Sequence, residues 1–306
     1  MQLGLNLPIM VPGLDRDRLL DWARRIDAGP FSSIAAGERI FFPNPEIMIA
    51  LTAAAAVTER VALQSSVVVL PMHAELHVAK QVATLDMLSE GRVVLGVGVG
   101  GRPEDYRAFG RPYDRRRLRR MQEQVAVMRA AWRGEETVEA LRPIEPRCVQ
   151  EGGPPVLVGA IDPRSIERAA AWADGISGFS FGPSSEETEL AWNTAREAWK
   201  AAGRDSAPRL VTSFWYALGA GARDQLDQVL RRYLAFMGPE MVDAIVPMVL
   251  IDSADKLRDA VRRMEDLGTD EVLLVPSTTD PDDVDRVADI LGGMVEAGPA
   301  AQPDKS

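Results

Sequence analysis

Short apolar runs alternate with segments of helical periodicity along almost the whole chain, and this alternation limits the possible folds more than any other feature. Most of the runs are too short for helices and are bounded by Gly or Pro, as β-strands are. Strands that alternate with helices are typical of parallel sheets, and eight such units predict an α/β chain that forms one (β/α)8 TIM barrel. A doubly wound sheet is the alternative. The predicted strands are residues 2–7, 32–36, 61–69, 93–98, 156–159, 175–179, 210–217 and 271–275.

Two long gaps interrupt the alternation. Residues 134–154 precede the fifth strand and suggest an extra hairpin or loop, and residues 219–253 follow the seventh strand and contain extra helical patterns. We therefore expect insertions after strands 4 and 7, where insertions usually form the ligand mouth of a barrel. The rest of the chain predicts a single barrel domain over residues 1–298 and a disordered tail over residues 299–306.

Composition excludes several classes of protein. The 35 basic and 45 acidic residues give a net charge of −10, which argues against a nucleic-acid-binding surface. Cys148 is the only cysteine and there is no H-E-x-x-H motif, so we expect neither a disulfide nor a metal site. No apolar run is long enough to span a membrane, and the N-terminus lacks the basic region of a signal peptide. These features predict a cytoplasmic protein without nucleic-acid or membrane partners.

The stretch GRVVLGVGVGGRPEDY, residues 91–106, matches G-x-G-x-x-G at Gly96, Gly98 and Gly101. This spacing alone is a weak signal of a dinucleotide site, because the fingerprint requires a helix at the third glycine and an acid about 20 residues later. Here a segment with two prolines and then a basic run follow, which we interpret as a loop. In a barrel, Gly98, Gly100 and Gly101 lie instead at the carboxyl end of the fourth strand. They either let a flat ligand approach the backbone or only form a tight turn.

Three segments resemble the luciferase-like monooxygenase superfamily. They are RVALQSSVVVLPMHAELHVAKQVATLDMLSEGRVVLGVGVGGRPEDYRAFG (residues 60–110), PPVLVGAIDPRSIERAAAWADGIS (residues 154–177) and RMEDLGTDEVLLVPSTTDPDDVDRVADIL (residues 263–291). That superfamily contains FMN-dependent monooxygenases and oxidoreductases that depend on the deazaflavin coenzyme F420. The resemblance implies a TIM barrel with a flavin-type ring in its mouth and, in addition, a homodimer.

The resemblance also implies residues that hold the cofactor. The third strand of such proteins has a bulge behind the ring, often with a non-prolyl cis peptide, and residues 65–67 match it; an ordinary strand is the alternative. Residues 159–161 match a phosphate-binding turn, because a helix that begins after Asp162 would point free N–H groups at an anion. An ordinary helix capped by Asp162 is the alternative. The expected cofactor-binding residues are Asn6, Ser65, Ser66, Val67, Gly98, Gly100, Gly101, Gly159, Ala160, Ile161, Arg164, Gly178 and Phe179.

Glu38, Arg39 and His73 are the expected catalytic residues. The family often places an acid followed by His after the second strand, whereas this chain has Glu38 followed by Arg39. Arginine does not release its proton usefully, so Arg39 would hold an anionic substrate or stabilise developing negative charge. Glu38 would hydrogen-bond the ring or the substrate, or pair with Arg39. We expect Tyr106 and Trp215 to line the substrate pocket, although a core position is an equal alternative for Trp215.

The basic run RPYDRRRLRR, residues 111–120, contains six arginines. It is either a solvated helix face that pairs with Glu123 or a docking site for the oligoglutamate tail of coenzyme F420. The favoured function is hydride transfer between coenzyme F420 and a small organic substrate. One alternative is an FMN-dependent monooxygenase that uses dioxygen and a partner flavin reductase, and another is a non-catalytic flavin-binding protein.

Overall fold

Nine parallel strands close into a barrel in the computed structural model, which describes residues 1–137, 139, 142–178 and 185–294. Two of the strands, β3 and β4, follow one another at the third position and both pair with β5, so the nine strands fill eight positions. This confirms the predicted TIM barrel. The strands are β1 (Gln2–Asn6), β2 (Ser33–Ala36), β3 (Ala62–Ser65), β4 (Val68–Val69), β5 (Val93–Gly98), β6 (Val156–Val158), β7 (Gly175–Ser177), β8 (Arg209–Tyr216) and β9 (Glu271–Pro276).

An apolar layer closes the inside of the barrel below its mouth. Side chains alternate along a strand, so every second residue points inward. The layer is one packed cluster of buried residues, each of which stands on a barrel strand. The layer therefore forms a floor below the mouth of the barrel. The layer consists of Ala35, Val94, Leu157, Val211 and Leu273.

Helices surround the barrel and bury one face each against it. In the first helix, Asp15 caps the N-terminus by accepting a hydrogen bond from the backbone N–H of Arg18 (2.9 Å), and the buried face follows the helical period with Leu19, Trp22 and Ile26. The helices are α1 (Arg16–Ala28), α2 (Ile47–Ala55), α3 (Glu75–Leu88), α4 (Pro103–Ala108), α5 (Arg117–Trp132), α6 (Pro163–Ala169), α7 (Ser185–Ala201), α8 (Ala222–Leu234), α9 (Pro239–Ile245), α10 (Ala254–Asp266) and α11 (Asp282–Leu291).

The two expected insertions lie at opposite ends of the barrel. The α8–α9 segment follows β8 and covers the carboxyl ends of the strands, as predicted. Residues 133–155 follow a helix, and the Gln150 side chain donates to the carbonyl of Val93 at the start of β5 (2.9 Å). That segment therefore lies at the amino end, and the expectation that it helps to form the mouth is wrong. Its described residues contain turns and no strand.

The sequence also predicts a disordered C-terminal tail and no membrane-spanning segment. The predicted tail, residues 299–306, lies outside the described residues. Within them, no helix combines the length and the apolar character that a membrane crossing requires.

Candidate active site

A cavity of about 320 Å³ opens at the carboxyl ends of the strands. Its walls come from the loops after β1, β2, β5 and β6, from the junction of β3 and β4, and from the ends of β7, β8 and β9. Ten residues expected from the sequence line it: Asn6, Glu38, Ser66, Val67, Gly100, Gly101, Gly159, Ala160, Ile161 and Trp215. Ten further residues that were not expected from the sequence also line it: Leu7, Ile9, Met10, Gly37, Val69, Arg102, Ser177, Ser213, Tyr233 and Val275.

The interruption of the third barrel strand forms a shelf on one side of the cavity. The Ser66–Val67 peptide bond is cis, at the position where the resemblance places a non-prolyl cis peptide. Ser66 and Val67 line the cavity, whereas Ser65 lies behind them. The Ser65 hydroxyl donates to the carbonyl of Gly96 (2.8 Å) and accepts from its N–H (2.9 Å). Ser65 therefore ties the shelf to β5 and does not face the cavity.

The glycines of β5 make room for this shelf. A Cβ atom on Gly96 would lie 2.0 Å from the carbonyl oxygen of Ser65, and one on Gly98 would lie 2.6 Å from Cγ2 of Val67. Gly98 therefore packs beneath Val67 and does not line the cavity, contrary to the expectation from the sequence. Gly100 has a φ of +59°, which favours glycine, and a Cβ on Gly101 would meet no atom within 4 Å. The segment after Gly101 also differs from the expected loop, because it contains the short helix α4.

Glu38 and His73 form a hydrogen-bonded pair at the edge of the cavity. Oε1 of Glu38 lies 2.8 Å from Nε2 of His73, and Oε2 accepts the backbone N–H of Val69 at 2.7 Å. The Glu38 side chain is 4% exposed and that of His73 is 16% exposed. His73 itself does not line the cavity, and its ring packs edge-on against Phe109 with the centroids 4.9 Å apart. The structure therefore brings two of the three expected catalytic residues together, with Glu38 on the ligand side.

Arg39 points away from the cavity, contrary to the expected role in holding a substrate. Its Nη1 donates to the carbonyl of Tyr233 at 2.8 Å. Its guanidinium lies over the rings of Phe42, Tyr233 and Phe236, with centroid distances of 4.3, 4.9 and 5.6 Å. Burial lowers the pKa of Arg39, and the nearby guanidinium of Arg102 lowers it further. The aromatic rings hold Arg39 because they attract a cation that has left water.

Arg102 is the arginine that lines the cavity. Its Nε donates to Asp105 at 2.8 Å, and its Nη2 lies 3.4 Å from the carbonyl oxygen of Glu38. The side chain is only 10% exposed. Position 102 follows the glycine run directly, so it lies at the end of a barrel strand, where side chains contact ligands. This position after the glycine run was the signal in the sequence that could have indicated Arg102. The family pattern indicated Arg39 instead.

Aromatic residues form the wall opposite the shelf. Trp215 lines the cavity as expected, and its ring packs edge-on against Tyr233 with the centroids 4.6 Å apart. Tyr233 comes from the end of α8 in the insertion. Tyr106 does not line the cavity, because its ring is fully buried and its hydroxyl donates to the carbonyl of Val99 at 2.6 Å. Burial raises the pKa of Tyr106 to about 12, so it is a neutral residue of the supporting core.

The turn at residues 159–161 lines the cavity and leads into α6. The Asp162 carboxylate caps this helix by accepting the N–H of Ser165 at 3.0 Å. The ordinary Asp162 cap, which was the alternative prediction for this turn, is therefore present. Arg164 is exposed and outside the cavity. Gly178 lies in a small neighbouring groove, near the ring of Trp192. Phe179 lies outside the described residues.

A buried hydroxyl without a partner among the described residues lies at the end of β7, on the wall of the cavity. The hydroxyl of Ser177 at the end of β7 is buried and has no hydrogen-bond partner among the described residues, and Ser177 is 3% exposed. Ser213 stands beside it on β8 and lies 3.4 Å from the carbonyl of Gly178. Buried polar groups are nearly always paired in folded proteins, so an unpaired hydroxyl in a cavity indicates a ligand. The described residues contain no cluster of metal-ligating side chains.

The chain resembles known proteins in both sequence and fold. The model of a family described as luciferase-like monooxygenase matches residues 1–250, most of the chain. The chain belongs to the luciferase-like monooxygenase family.

Two relatives illustrate what the luciferase-like chain is similar to. An uncharacterized protein of Mycobacterium tuberculosis is 34% identical over 176 residues, which are 53% of this chain and 59% of that protein. The match therefore spans less than two thirds of that relative's length. The 4-hydroxyprotoasukamycin monooxygenase of Streptomyces nodosus subsp. asukaensis is 29% identical over 302 residues, with 83% of this chain and 78% of the relative covered.

Solved structures share the fold over nearly the whole length. The monooxygenase RslO1 from Streptomyces bottropensis has a TM-score of 0.78 at 24% identity and covers 96% of this chain and 98% of its own. An F420-dependent secondary alcohol dehydrogenase with an F420-acetone adduct has a TM-score of 0.75 at 18% identity, with 98% and 99% covered. The oxygenating constituent of 3,6-diketocamphane monooxygenase from Pseudomonas putida, in complex with FMN, has a TM-score of 0.70 at 19% identity, with 96% and 97% covered. Neighbours of this fold thus include both F420 and FMN proteins.

Proposed function

We propose that this luciferase-like chain is an FMN-dependent monooxygenase that holds the flavin ring in the cavity and inserts one oxygen atom of dioxygen into a small organic substrate. A partner reductase supplies the reduced FMN. When bound, the flavin supplies the reaction with dioxygen, and the protein supplies position, electrostatics and protons. The 29% identical monooxygenase relative supports this choice of reaction.

The unpaired hydroxyl of Ser177 is the observation that supports a bound ring most directly. It lies on the wall of an otherwise largely apolar cavity, where an unpaired hydroxyl costs about 1–3 kcal/mol. A flavin ring has polar atoms on one edge and two apolar faces, so one edge would satisfy Ser177 while a face rests on Val67. The residues present therefore fit such a ring.

Three positions around the cavity would shape the ring site. Val67 provides an apolar surface on the shelf, and Gly159 stands beside it, where a Cβ would lie 3.2 Å from Cγ1 of Val67. Gly101 leaves open space on the wall, so a planar ligand can approach its backbone. Glu38 lines the same cavity, and His73 holds its carboxylate in place. Glu38 is thus the group that can take a proton from a bound substrate or return one to it.

The arginine run gives less support to coenzyme F420 than the sequence suggested. The guanidinium of Arg117 bonds to the carbonyls of Asp114 (2.8 Å) and Gly100 (3.1 Å), so this residue supports the loop at the mouth. Arg119 pairs with Glu123 at 2.8 Å, as the solvated-face alternative predicts, and Arg120 pairs with Asp114 at 3.2 Å. Half of the six arginines are therefore engaged within the chain.

F420-dependent hydride transfer is the second candidate function. Arg111, Arg115 and Arg116 are exposed and have no side-chain ion pair among the residues that the structure describes. These three charges remain available for an oligoglutamate tail. A contact of that kind would be solvent-exposed and would weaken with salt.

Titration of the purified protein with FMN and with coenzyme F420, followed by fluorescence, separates the candidates. We expect submicromolar binding of FMN that is unchanged in the Arg115→Gln/Arg116→Gln variant. The matched control is Arg262→Gln/Arg263→Gln, which removes two exposed arginines from the end of α10. The second candidate would replace this proposal if the protein bound FMN weakly and bound F420 tightly in a salt-sensitive way. In that case Arg115→Gln/Arg116→Gln should lose F420 binding and the control should keep it. Absence of binding by both cofactors would contradict any flavin function.

A further inference from the structure

Trp215 and Tyr233 form an aromatic corner in the cavity wall. The two rings meet edge to face at an interplanar angle of 68°, and Trp215 is only 2% exposed. Leu7, Ile9 and Met10 line the same cavity from the loop after β1. A flat aromatic ring fits such a corner better than a flexible chain does, because aromatic pairs stack or meet edge to face and lose little conformational freedom.

Arg102 places a charged donor beside this corner. Its Nε is engaged with Asp105 and its Nη2 faces the carbonyl oxygen of Glu38, but its Nη1 has no hydrogen-bond partner among the described residues. A guanidinium presents its donors in one plane, so the free Nη1 can bind an oxygen in the plane of a ligand ring. The low exposure of Arg102 strengthens such a charge-assisted bond relative to one in water.

Glu38 places an acceptor next to that donor. The backbone carbonyl of Glu38 is 3.4 Å from Arg102, and Glu38 lines the same cavity. Each carboxylate oxygen has one partner, Val69 N–H for Oε2 and His73 Nε2 for Oε1, so each retains a lone pair. Both residues line the same cavity, so a ligand oxygen bound between their side chains would meet a cation and a proton acceptor together.

We propose that the substrate is a hydroxyarene, whose ring rests in the Trp215–Tyr233 corner and whose hydroxyl oxygen binds between Arg102 and Glu38. The inference rests on the proposed function, because it names the substrate class of the same cavity. In the binding step, the hydroxyl donates a hydrogen bond to the Glu38 carboxylate and its oxygen accepts one from Arg102. As the ring is oxidised, the O–H bond breaks, the proton moves to the Glu38 carboxylate, and the electron pair stays on the oxygen. The resulting phenolate is held by Arg102, and its ring is richer in electrons for oxidation.

The surrounding charges favour a hydroxyl over other oxygen groups. Asp105 and Glu104 stand on helix α4 and do not line the cavity, and Arg39 adds a second cation nearby. A carboxylate substrate would be repelled by Glu38, and an aliphatic alcohol would hold its proton too strongly for a carboxylate to remove. A phenol has an intermediate acidity, so one cation within about 4–6 Å is enough to shift its ionisation by ~1–3 units.

The probe for this proposal is 4-nitrophenol, because its phenol and phenolate forms absorb at different wavelengths. We expect saturable binding of 4-nitrophenol, with a bound pKa lower than the free value by at least ~1 unit. The matched probe is 4-nitroanisole, which has the same ring and no proton, and it should bind at least tenfold more weakly. Each titration is run with the protein alone and with the protein saturated with whichever cofactor it binds.

Three variants test which residues lower the pKa of bound 4-nitrophenol and which bind its ring. Arg102→Gln should abolish the shift in bound pKa, and Arg102→Lys should retain part of it, since the charge is kept. Trp215→Leu should weaken binding of both probes about equally and leave the shift in place. Arg107→Gln is the control, because Arg107 is an exposed arginine on the same helix that does not line the cavity. Thermal melting verifies that each variant is folded.

The outcomes separate this inference from the cofactor proposal. A bound 4-nitrophenol with an unchanged or raised pKa, or equal binding of the two probes, overturns the hydroxyarene inference even when FMN binds tightly. A lowered pKa that depends on Arg102 supports the inference even when neither cofactor binds. Failure of the wild-type protein to bind 4-nitrophenol under both conditions also overturns it.

Discussion

Gly98 and Gly101 are three residues apart, yet a side chain would meet packed Val67 at the first position and open space at the second. The two glycines therefore have different reasons to lack a side chain. At Gly98 the reason is the close approach of the interrupted third strand. At Gly101 it is the space of the cavity, so only there can a larger residue test ligand binding without disturbing the barrel.

Gly101→Val should weaken cofactor binding at least tenfold, about 1.4 kcal/mol, and leave the melting temperature close to that of the wild type. The added side chain would extend into the cavity, because no atom lies within 4 Å of the new Cβ and the residue has no positive φ. The measurement is a fluorescence titration next to a thermal melt. Gly293→Val is the matched control, since Gly293 also has open space and lies outside the cavity. Equal affinity of wild type and Gly101→Val would leave Gly101 with only a role in the turn.

The residues at the mouth show which parts of the site the sequence could predict. Ten lining residues were predictable, because strand ends and the family pattern indicate which backbone positions reach the mouth. The direction of a long side chain was not. Arg39 follows a strand as the pattern requires, but its guanidinium turns outward to the rings of the insertion, while Arg102 turns inward. That choice depends on Phe42 and Tyr233, which are distant in sequence and meet only in the fold.

At the scale of elements, Arg39 joins the loop after β2 to the end of α8. Its hydrogen bond to the carbonyl of Tyr233 and its contacts with three rings connect the insertion to the barrel. Tyr233 itself lines the cavity, so this connection also determines the position of one wall. Arg39 itself is not among the lining residues, so the structure assigns it to the support of that wall.

Arg39→Met should loosen the insertion. One hydrogen bond to a charged group and a cation–π contact together stabilise it by about 1–3 kcal/mol, so amide exchange in residues 222–248 should accelerate at least fivefold. Exchange in β1 and β9 should not change. Arg232→Met on the exposed side of α8 is the control. If both variants exchange alike, the insertion is held by the apolar contacts of α8 alone.

The elements themselves were largely predictable, because period and length separate short strands from helices along the chain. The split of the third strand into β3 and β4 required the family pattern, since VALQSSVVV contains neither Gly nor Pro to mark the end of a strand. Residues 134–154 were assigned to the wrong end of the barrel. Helical and strand patterns show where a gap begins, but the end of the barrel on which it lies depends on whether a helix or a strand precedes it.

At the scale of the whole molecule, the two ends of the barrel have separate roles. The apolar layer lies between the cavity and a polar network at the amino end, where the buried Glu271 carboxylate accepts from Ser32 and Ser33 (both 2.6 Å) and pairs with Arg209 (2.7 Å). This network satisfies a buried charge far from the ligand. Substitutions there should change stability, while substitutions at the carboxyl end should change binding.

Closure of the barrel involves a second buried carboxylate, Asp283, at the start of α11. It accepts the hydroxyl of Tyr216 at the end of β8 (2.8 Å), and it is 1% exposed. Burial raises the pKa of Asp283 to about 6, although Tyr216 and Arg286 act in the opposite direction. Because this value exceeds that of an unfolded aspartate, the folded state binds the proton more tightly than the unfolded state does.

The stability of the molecule should therefore fall as the pH rises through about 6. The contribution of Asp283 is fully present below the pKa of an unfolded aspartate and is lost above the folded pKa, so between about pH 5 and pH 7 the loss is about 1 kcal/mol. Asp283→Asn cannot ionise and keeps an acceptor for Tyr216. As the pH rises from about 5 to about 7, the melting temperature of the wild type should therefore fall by about 2 °C relative to that of the variant. Asp255→Asn, at an exposed position of α10, is the control and should follow the wild type. A wild-type curve parallel to that of Asp283→Asn would mean that Asp283 is already ionised at pH 5, with Arg286 outweighing its burial.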